Sequence, residues 1–276
     1  MVDAQPHDEA MATELERVAT SVAAEAGAAI LDALDREIVV SYKDTPSGER
    51  APIDPVSDVD QAVEDLVRDR LTTRYPDHGF LGEETVGNFL PGARFTWAVD
   101  PIDGTQNFVN GIPFYSCSIG VFEGPTPVAG AIWGVATHRG HPGVFHAHRG
   151  GALQFDGEPV DPAGRVASGR LRGLVATPMG STRRNANWDY RSLGSTALEG
   201  ALVAAGVLAG ARNPDPHVWD IAASAVLVEA AGYEVWTKPK GRPGWEPLTG
   251  IDPATFGTWR QSVVVANAEA AVELKK

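Results

Sequence analysis

The chain contains one cysteine, Cys117, in 276 residues. No disulfide can form within it, and no Cys-x-x-Cys zinc or redox motif exists. The lone thiol reads as a small buried hydrophobe. Basic residues are also few: 23 Lys and Arg face 36 Asp and Glu, for a net charge of −13. This disfavours nucleic acid as a partner, because a phosphate backbone demands clustered cations. A small anionic substrate stays open, since bound divalent metals reverse local charge. Long apolar runs are missing. The longest, residues 128–136, is far short of a bilayer span. Residues 1–16 are acidic and polar, with no basic segment followed by an apolar run. A cytoplasmic protein with no membrane partner is expected. There is no internal repeat, no Gly-x-Ser-x-Gly elbow and no Gly-x-x-x-x-Gly-Lys loop. A serine nucleophile on such an elbow and a nucleotide-type phosphate loop are therefore set aside.

What is present supports a real core: 43% of residues are hydrophobic and 21% charged. At about 150 residues per domain the length suggests two parts. Residues 12–38 carry apolar side chains at helical spacing, from Val18 to Leu34. Residues 42–55 read as a proline- and glycine-broken loop. A second helix starts near Ser57, with Val59, Val63, Leu66, Val67 and Leu71 as its stripe. Residues 96–99, 116–122, 128–135 and 143–147 alternate as strands of an antiparallel meander. Beyond about residue 170, short strands (174–176, 234–237, 262–266) alternate with Ala-rich helices (195–208, 219–231). Gly232 stands where the last of these helices needs a C-terminal cap. The expected organisation is an α+β part over 1–170, carrying a metal site, and an α/β part over 171–276 that completes it.

The stretch Trp97-Ala98-Val99-Asp100-Pro101-Ile102-Asp103-Gly104-Thr105-Gln106-Asn107-Phe108 is the most informative. It reads as a strand that stops at an acid, then a turn with a second acid. Two such carboxylates can share a hard cation, and Gly104-Thr105 can offer backbone N–H groups to an anion beside it. Further acids stand at element ends: Asp60 and Glu64 early in the second helix, Glu83 and Glu84 after Gly82, and Asp220 after Trp219. Each alone could be a helix cap or a solvated charge. Together they suit Mg²⁺, which takes oxygen ligands and keeps waters for a substrate to displace.

In order along the chain, Asp54-Pro55-Val56-Ser57-Asp58-Val59-Asp60, Gly82-Glu83-Glu84, Asp100 to Phe108, Gly194-Ser195-Thr196-Ala197-Leu198 and Trp219-Asp220-Ile221-Ala222-Ala223 resemble the inositol monophosphatase superfamily of lithium-sensitive, Mg²⁺-dependent phosphatases. The resemblance covers nearly the whole chain. It implies a layered αβαβα sandwich, often a homodimer, and two or three Mg²⁺ ions. Glu83, Asp100 and the Ile102 carbonyl would hold the first ion. Asp100, Asp103 and Asp220 would hold the second, and Glu83 would reach a third. Thr105, oriented by Asp60, would position the attacking water and help deprotonate it. The N–H groups of Gly104 and Thr105 would bind phosphate, with Gly194, Ser195 and Thr196 along the leaving-group side. The implied activity is hydrolysis of a small phosphate ester. Inositol 1-phosphate, or a broad set of sugar and polyol phosphates, is the first expectation. Fructose 1,6-bisphosphate, histidinol phosphate and 3′-phosphoadenosine 5′-phosphate are the alternatives, and a non-catalytic ligand-binding relative is a remote one.

The chain departs from this pattern where relatives place a Glu seven residues before the Trp-Asp aspartate. Here the position is Asn213, next to Arg212. A neutral amide still bonds hydroxyls, and the adjacent cation makes a substrate with a second anionic group an option. The loop 43–54 looks longer than in relatives, with Lys43 or Arg50 as its candidate cation. Arg183 and Arg184 read as solvated charges or substrate contacts. His138, His141, His146 and His148 form a hairpin segment for which the sequence offers no completing acid.

Overall fold

The computed structural model describes residues 9–42, 55–85, 92–162, 173–178 and 187–276. Lys43, Arg50, Asp54, Arg183 and Arg184 lie outside these ranges. In chain order the elements are α1 (Glu9–Ala33), β1 (Val40–Tyr42), β2 (Pro55–Ser57), α2 (Asp58–Arg74), β3 (Gly79–Gly82), β4 (Phe95–Asp103), α3 (Thr105–Val109), β5 (Ser116–Glu123), β6 (Thr126–Gly134), β7 (Gly143–His148), β8 (Gln154–Phe155) and β9 (Glu158–Pro159). There follow β10 (Gly173–Ala176), β11 (Trp188–Arg191), α4 (Thr196–Ala204), β12 (Gly210–Asn213), α5 (Val218–Ala230), β13 (Glu234–Lys238), β14 (Glu246–Pro247), β15 (Ser262–Ala266) and α6 (Ala268–Leu274).

Two large sheets alternate with three helix layers. The first sheet runs β3-β4-β5-β6-β7-β8-β9, antiparallel apart from the parallel β3–β4 pair. The second runs β11-β10-β12-β15-β13-β14 and is mixed. Helices α1 and α2 cover the outer face of the first sheet, α4 and α5 lie between the sheets, and α6 covers the far face of the second. This is the αβαβα sandwich. Helix α5 is apolar nearly all round, as a helix packed on two sides must be. It lies close against the first sheet because Gly120 and Gly130 stand beneath it. A Cβ at Gly120 would come 2.8 Å from the Ala222 backbone, and one at Gly130 would come 2.7 Å from the Ala223 backbone.

Local sequence accounts for most elements, and the exceptions have tertiary causes. Helix α1 stops at Ala33, earlier than the pattern through residue 38 predicts. The following turn is captured by Asp58, which accepts Arg36 Nη1 at 2.6 Å and the Val39 N–H at 3.0 Å. Residues 79–82 form β3 because β4 supplies a full ladder. The predicted loop 42–55 meets strand at both described ends, where β1 and β2 pair. Gly232 takes a φ of +76° just past α5, the left-handed cap its position predicts.

Candidate functional site

The Asp-Pro-Ile-Asp segment ends β4 as a β-bulge. Asp100 pairs with Ser118 and Asp103 with Ser116, so three steps on β4 oppose two on β5. In a regular strand, residues three apart point to opposite faces. The extra residue restores both acids to one side, and Pro101 is tolerated where the ladder is broken. Gly104 follows with φ +93°, a left-handed conformation that turns the chain into α3.

Around this corner the structure gathers four acids from three segments: Glu83 after β3, Asp100 and Asp103 at the end of β4, and Asp220 in α5. Asp100 and Asp103 are buried, and Asp220 sits in the first turn of α5. Asp100 feels the charges of Glu83, Asp103 and Asp220, and Asp220 feels Asp103 and Glu83. Burial first, then this mutual repulsion, pushes Asp100 and Asp220 well above the usual carboxylate range. Burial also raises Asp103, against hydrogen bonds from Ser195, Ala197 and Thr196. Asp100 Oδ1 is buried with no hydrogen-bond donor. An orphaned carboxylate oxygen beside three more acids is a donor set suited to a hard divalent cation. Even so, no three such side chains among the described residues converge as a ready chelate. Two of them are already engaged with helix ends. Asp103 accepts the Thr196 and Ala197 N–H groups of α4 at 3.1 and 2.7 Å, together with the Ser195 hydroxyl. Asp220 Oδ2 accepts the His217 N–H at 2.7 Å in a capping box.

Asp60 likewise serves two ends. Its Oδ2 accepts from Ser57, closing the capping box of α2, while Oδ1 accepts the Thr105 hydroxyl at 2.9 Å. The same hydroxyl lies 2.9 Å from the Ile102 carbonyl, so one proton is shared between two acceptors. Burial raises the Asp60 carboxyl, partly offset by the bonds from Ser57 and Thr105.

Glu64, which follows Asp60 by one turn, takes a different part. It is fully buried and accepts Arg68 Nη2 at 2.7 Å, the Thr85 hydroxyl at 2.5 Å and the Glu84 N–H at 2.7 Å. It holds the loop that presents Glu83. Glu84 is thus anchored through its backbone.

Beside the acids a cleft of about 340 Å³ opens between α4 and the 214–216 loop. Gly194, Ser195, Thr196 and Asn213 line it, together with Glu199, Asp215 and Asp220. No Lys, Arg or His is among its described lining residues. Asn213 Oδ1 faces the Thr196 hydroxyl at 3.5 Å. Arg212 points elsewhere: it donates to the Leu274 carbonyl at 3.1 Å and lies over Trp245. Alternation along β12 separates the two side chains, which corrects the expectation of a cation beside Asn213. Glu199, which the sequence did not single out, is buried behind the cleft. Burial, with Asp103 adding to it, pushes its carboxyl to about 7.

The histidine hairpin finds its acid far away in sequence. Glu16 of α1 meets His146 Nδ1 at 2.6 Å and His148 Nδ1 at 2.5 Å. His146 Nε2 accepts the Gly157 N–H at 3.3 Å, so Nδ1 carries the proton toward Glu16. This cluster ties α1 to β7, away from the cleft.

A bulged strand end, an acid cluster and an oxygen-lined cleft within an αβαβα sandwich define a site of the phosphatase type. Comparison with known proteins agrees. The profile of the inositol monophosphatase family matches residues 11–274. An inositol-1-monophosphatase of Mycobacterium bovis is 35% identical over 249 residues, covering 80% of this chain and 83% of its own. A Nus factor SuhB of Xylella fastidiosa is 32% identical over 198 residues, covering 67% and 70%. The crystal structure of the extragenic suppressor protein suhB from Bartonella henselae superposes with a TM-score of 0.74 at 26% identity, over 95% of this chain and 97% of that one. The chain belongs to the inositol monophosphatase family, a family of phosphoric monoester hydrolases whose members generally depend on metal.

Proposed function

We propose that this chain is a Mg²⁺-dependent phosphomonoesterase acting on small polyol monophosphates, with inositol 1-phosphate as the leading substrate. The observation that carries the metal reading is the orphaned, buried Asp100 Oδ1 amid Glu83, Asp103 and Asp220. These four acids and the Ile102 carbonyl would hold two or three ions. Bound Mg²⁺ would neutralise phosphate charge and acidify a water near neutral pH. The chain's own residues do the positioning. Asp60 orients the Thr105 hydroxyl, which holds the attacking water in line with the ester bond. The backbone of Gly104 and Thr105 faces the phosphate. Gly194, Ser195, Thr196 and Asn213 receive the leaving group.

The lining of the cleft supports a neutral, hydroxyl-rich leaving group. It carries three acids and, among the described residues, no cation to meet a second phosphate. We also read the protein as a cytoplasmic homodimer, on the resemblance and on its scarcity of cysteine. Among the described residues no helix is long and apolar enough to cross a membrane. Release of phosphate from all four esters should be measured side by side, with Mg²⁺ and with chelator. Inositol 1-phosphate should lead, and only with metal. No metal-dependent release from any ester would return the non-catalytic reading.

A further inference from the structure

We propose that Asn107 is a positioning residue for the substrate: its side-chain amide ties the phosphate-facing turn to the wall that receives the leaving group, and so fixes how the two halves of an ester lie relative to one another. This rests on the phosphomonoesterase reading of the site. Asn107 lies in α3, within one turn of Gly104. Its Nδ2 donates to the Phe114 carbonyl at 2.7 Å and to the Leu193 carbonyl at 2.8 Å. Both partners are acceptors, so only the amide nitrogen can face them, and both of its protons are spent. The second bond spans 86 residues and joins the two parts of the chain.

The surroundings leave this amide little freedom. The Phe108 N–H bonds the Gly104 carbonyl at 3.1 Å, so α3 carries Asn107 together with the turn. Gly194 follows Leu193 at a φ of +83°, and a Cβ there would lie 3.1 Å from Asn107 Nδ2. A Cβ on Gly104 would lie 2.9 Å from the Gly194 carbonyl, so turn and wall meet as bare backbone. Glu199 holds the Leu193 N–H from the other side at 3.3 Å. Asp103 also links the turn to this wall, through Ser195, Thr196 and Ala197, but it is one of the acids that would hold metal. Asn107 joins the same two pieces through a neutral group that takes no part in holding metal. Losing it shifts the wall against the turn. An ester that touches both must then bind less well, whereas an anion that touches only the turn is spared.

The test uses the full chain with Mg²⁺. Asn107→Ala should raise KM for inositol 1-phosphate about tenfold, with kcat falling less than about threefold. Inorganic phosphate, followed by calorimetric titration, should bind the variant within about twofold of the unaltered chain. A role in stability alone would instead lower kcat through the folded fraction and leave KM where it was. If Asn107→Ala fails to fold, Asn107→Ser carries the test: its shorter hydroxyl can donate to one carbonyl at most, so KM must still rise at least about threefold. An unchanged KM in a folded variant, or equal weakening of inorganic phosphate and inositol 1-phosphate, would overturn the proposal. Failure of the unaltered chain to hydrolyse inositol 1-phosphate would instead overturn the functional reading, and this one with it.

Discussion

Replacing Glu64 with alanine should separate the scaffold of the site from its chemistry. The side chain is fully buried and anchors Arg68, Thr85 and the Glu84 backbone. Breaking a fully buried ion pair costs about 3–5 kcal/mol. Arg68 retains 26% of its side-chain exposure and can rehydrate, which places the loss near the low end. The Glu84 N–H and Thr85 hydroxyl then lose their acceptor, at about 1 kcal/mol each if water does not replace it. A net loss of about 3–5 kcal/mol follows, or a fall in Tm of roughly 6–20 °C for a chain of this size. The functional consequence is separate. Glu83 follows Gly82 directly, and its loop loses the anchor that orients it. Mg²⁺ affinity should fall about tenfold or more, as for other residues that hold metal ligands from behind. Urea unfolding in chelator measures the first effect and calorimetric Mg²⁺ titration the second. Gly82→Ala approaches the same contact from the other side, since its Cβ would lie 2.5 Å from Glu64 Oε2. Lost stability with Mg²⁺ affinity unchanged in both variants would refute the positioning argument.

Asp100→Asn should abolish at least about 99% of Mg²⁺-dependent turnover while leaving the circular dichroism spectrum intact. Because burial and three neighbouring acids raise the Asp100 carboxyl, its contribution favours folding below the unfolded carboxylate value and is lost as pH rises through the raised one. The metal-free Asp100→Asn variant should therefore gain stability relative to wild type at pH 8 more than at pH 4, by urea unfolding. Gly104→Ala places a Cβ 2.9 Å from the Gly194 carbonyl at a φ of +93°. It should cost about 2 kcal/mol in a denaturant melt and slow turnover at least about tenfold. For Glu16, burial alone would raise the carboxyl, but the bonds from His146 and His148 outweigh it and hold it low. Its stabilisation is present above the ordinary carboxylate range and is lost as pH falls through the lowered value. Glu16→Ala should cost about 3 kcal/mol near pH 7, and the gap to wild type should narrow in acid.

Periodicity is a local property, and where it governed, the sequence was readable. The meander from β4 to β7, the apolar stripe of α2 and the Gly232 cap follow from residues within one or two turns of one another. So does the motif from Asp100 to Thr105, whose acids, proline and glycine lie together in the chain. The resemblance carried the assembly of these pieces into the αβαβα sandwich. Tertiary structure decided the rest. A separation of three residues does not by itself place Asp100 and Asp103 on one face; the bulge against β5 does. Glu64, Asp60 and Asp58 share one helix, yet one buttresses a loop, one orients Thr105 and one arrests the segment after α1. Glu16 and His146 are 130 residues apart, and Arg212 turns from the cleft because strand alternation directs it to α6. Sequence determined which side chains could carry charge and which segments could be helix or strand. Only packing determined which charges meet. A buried carboxylate must find donors or cations wherever the fold brings them, and that search is not written in local spacing.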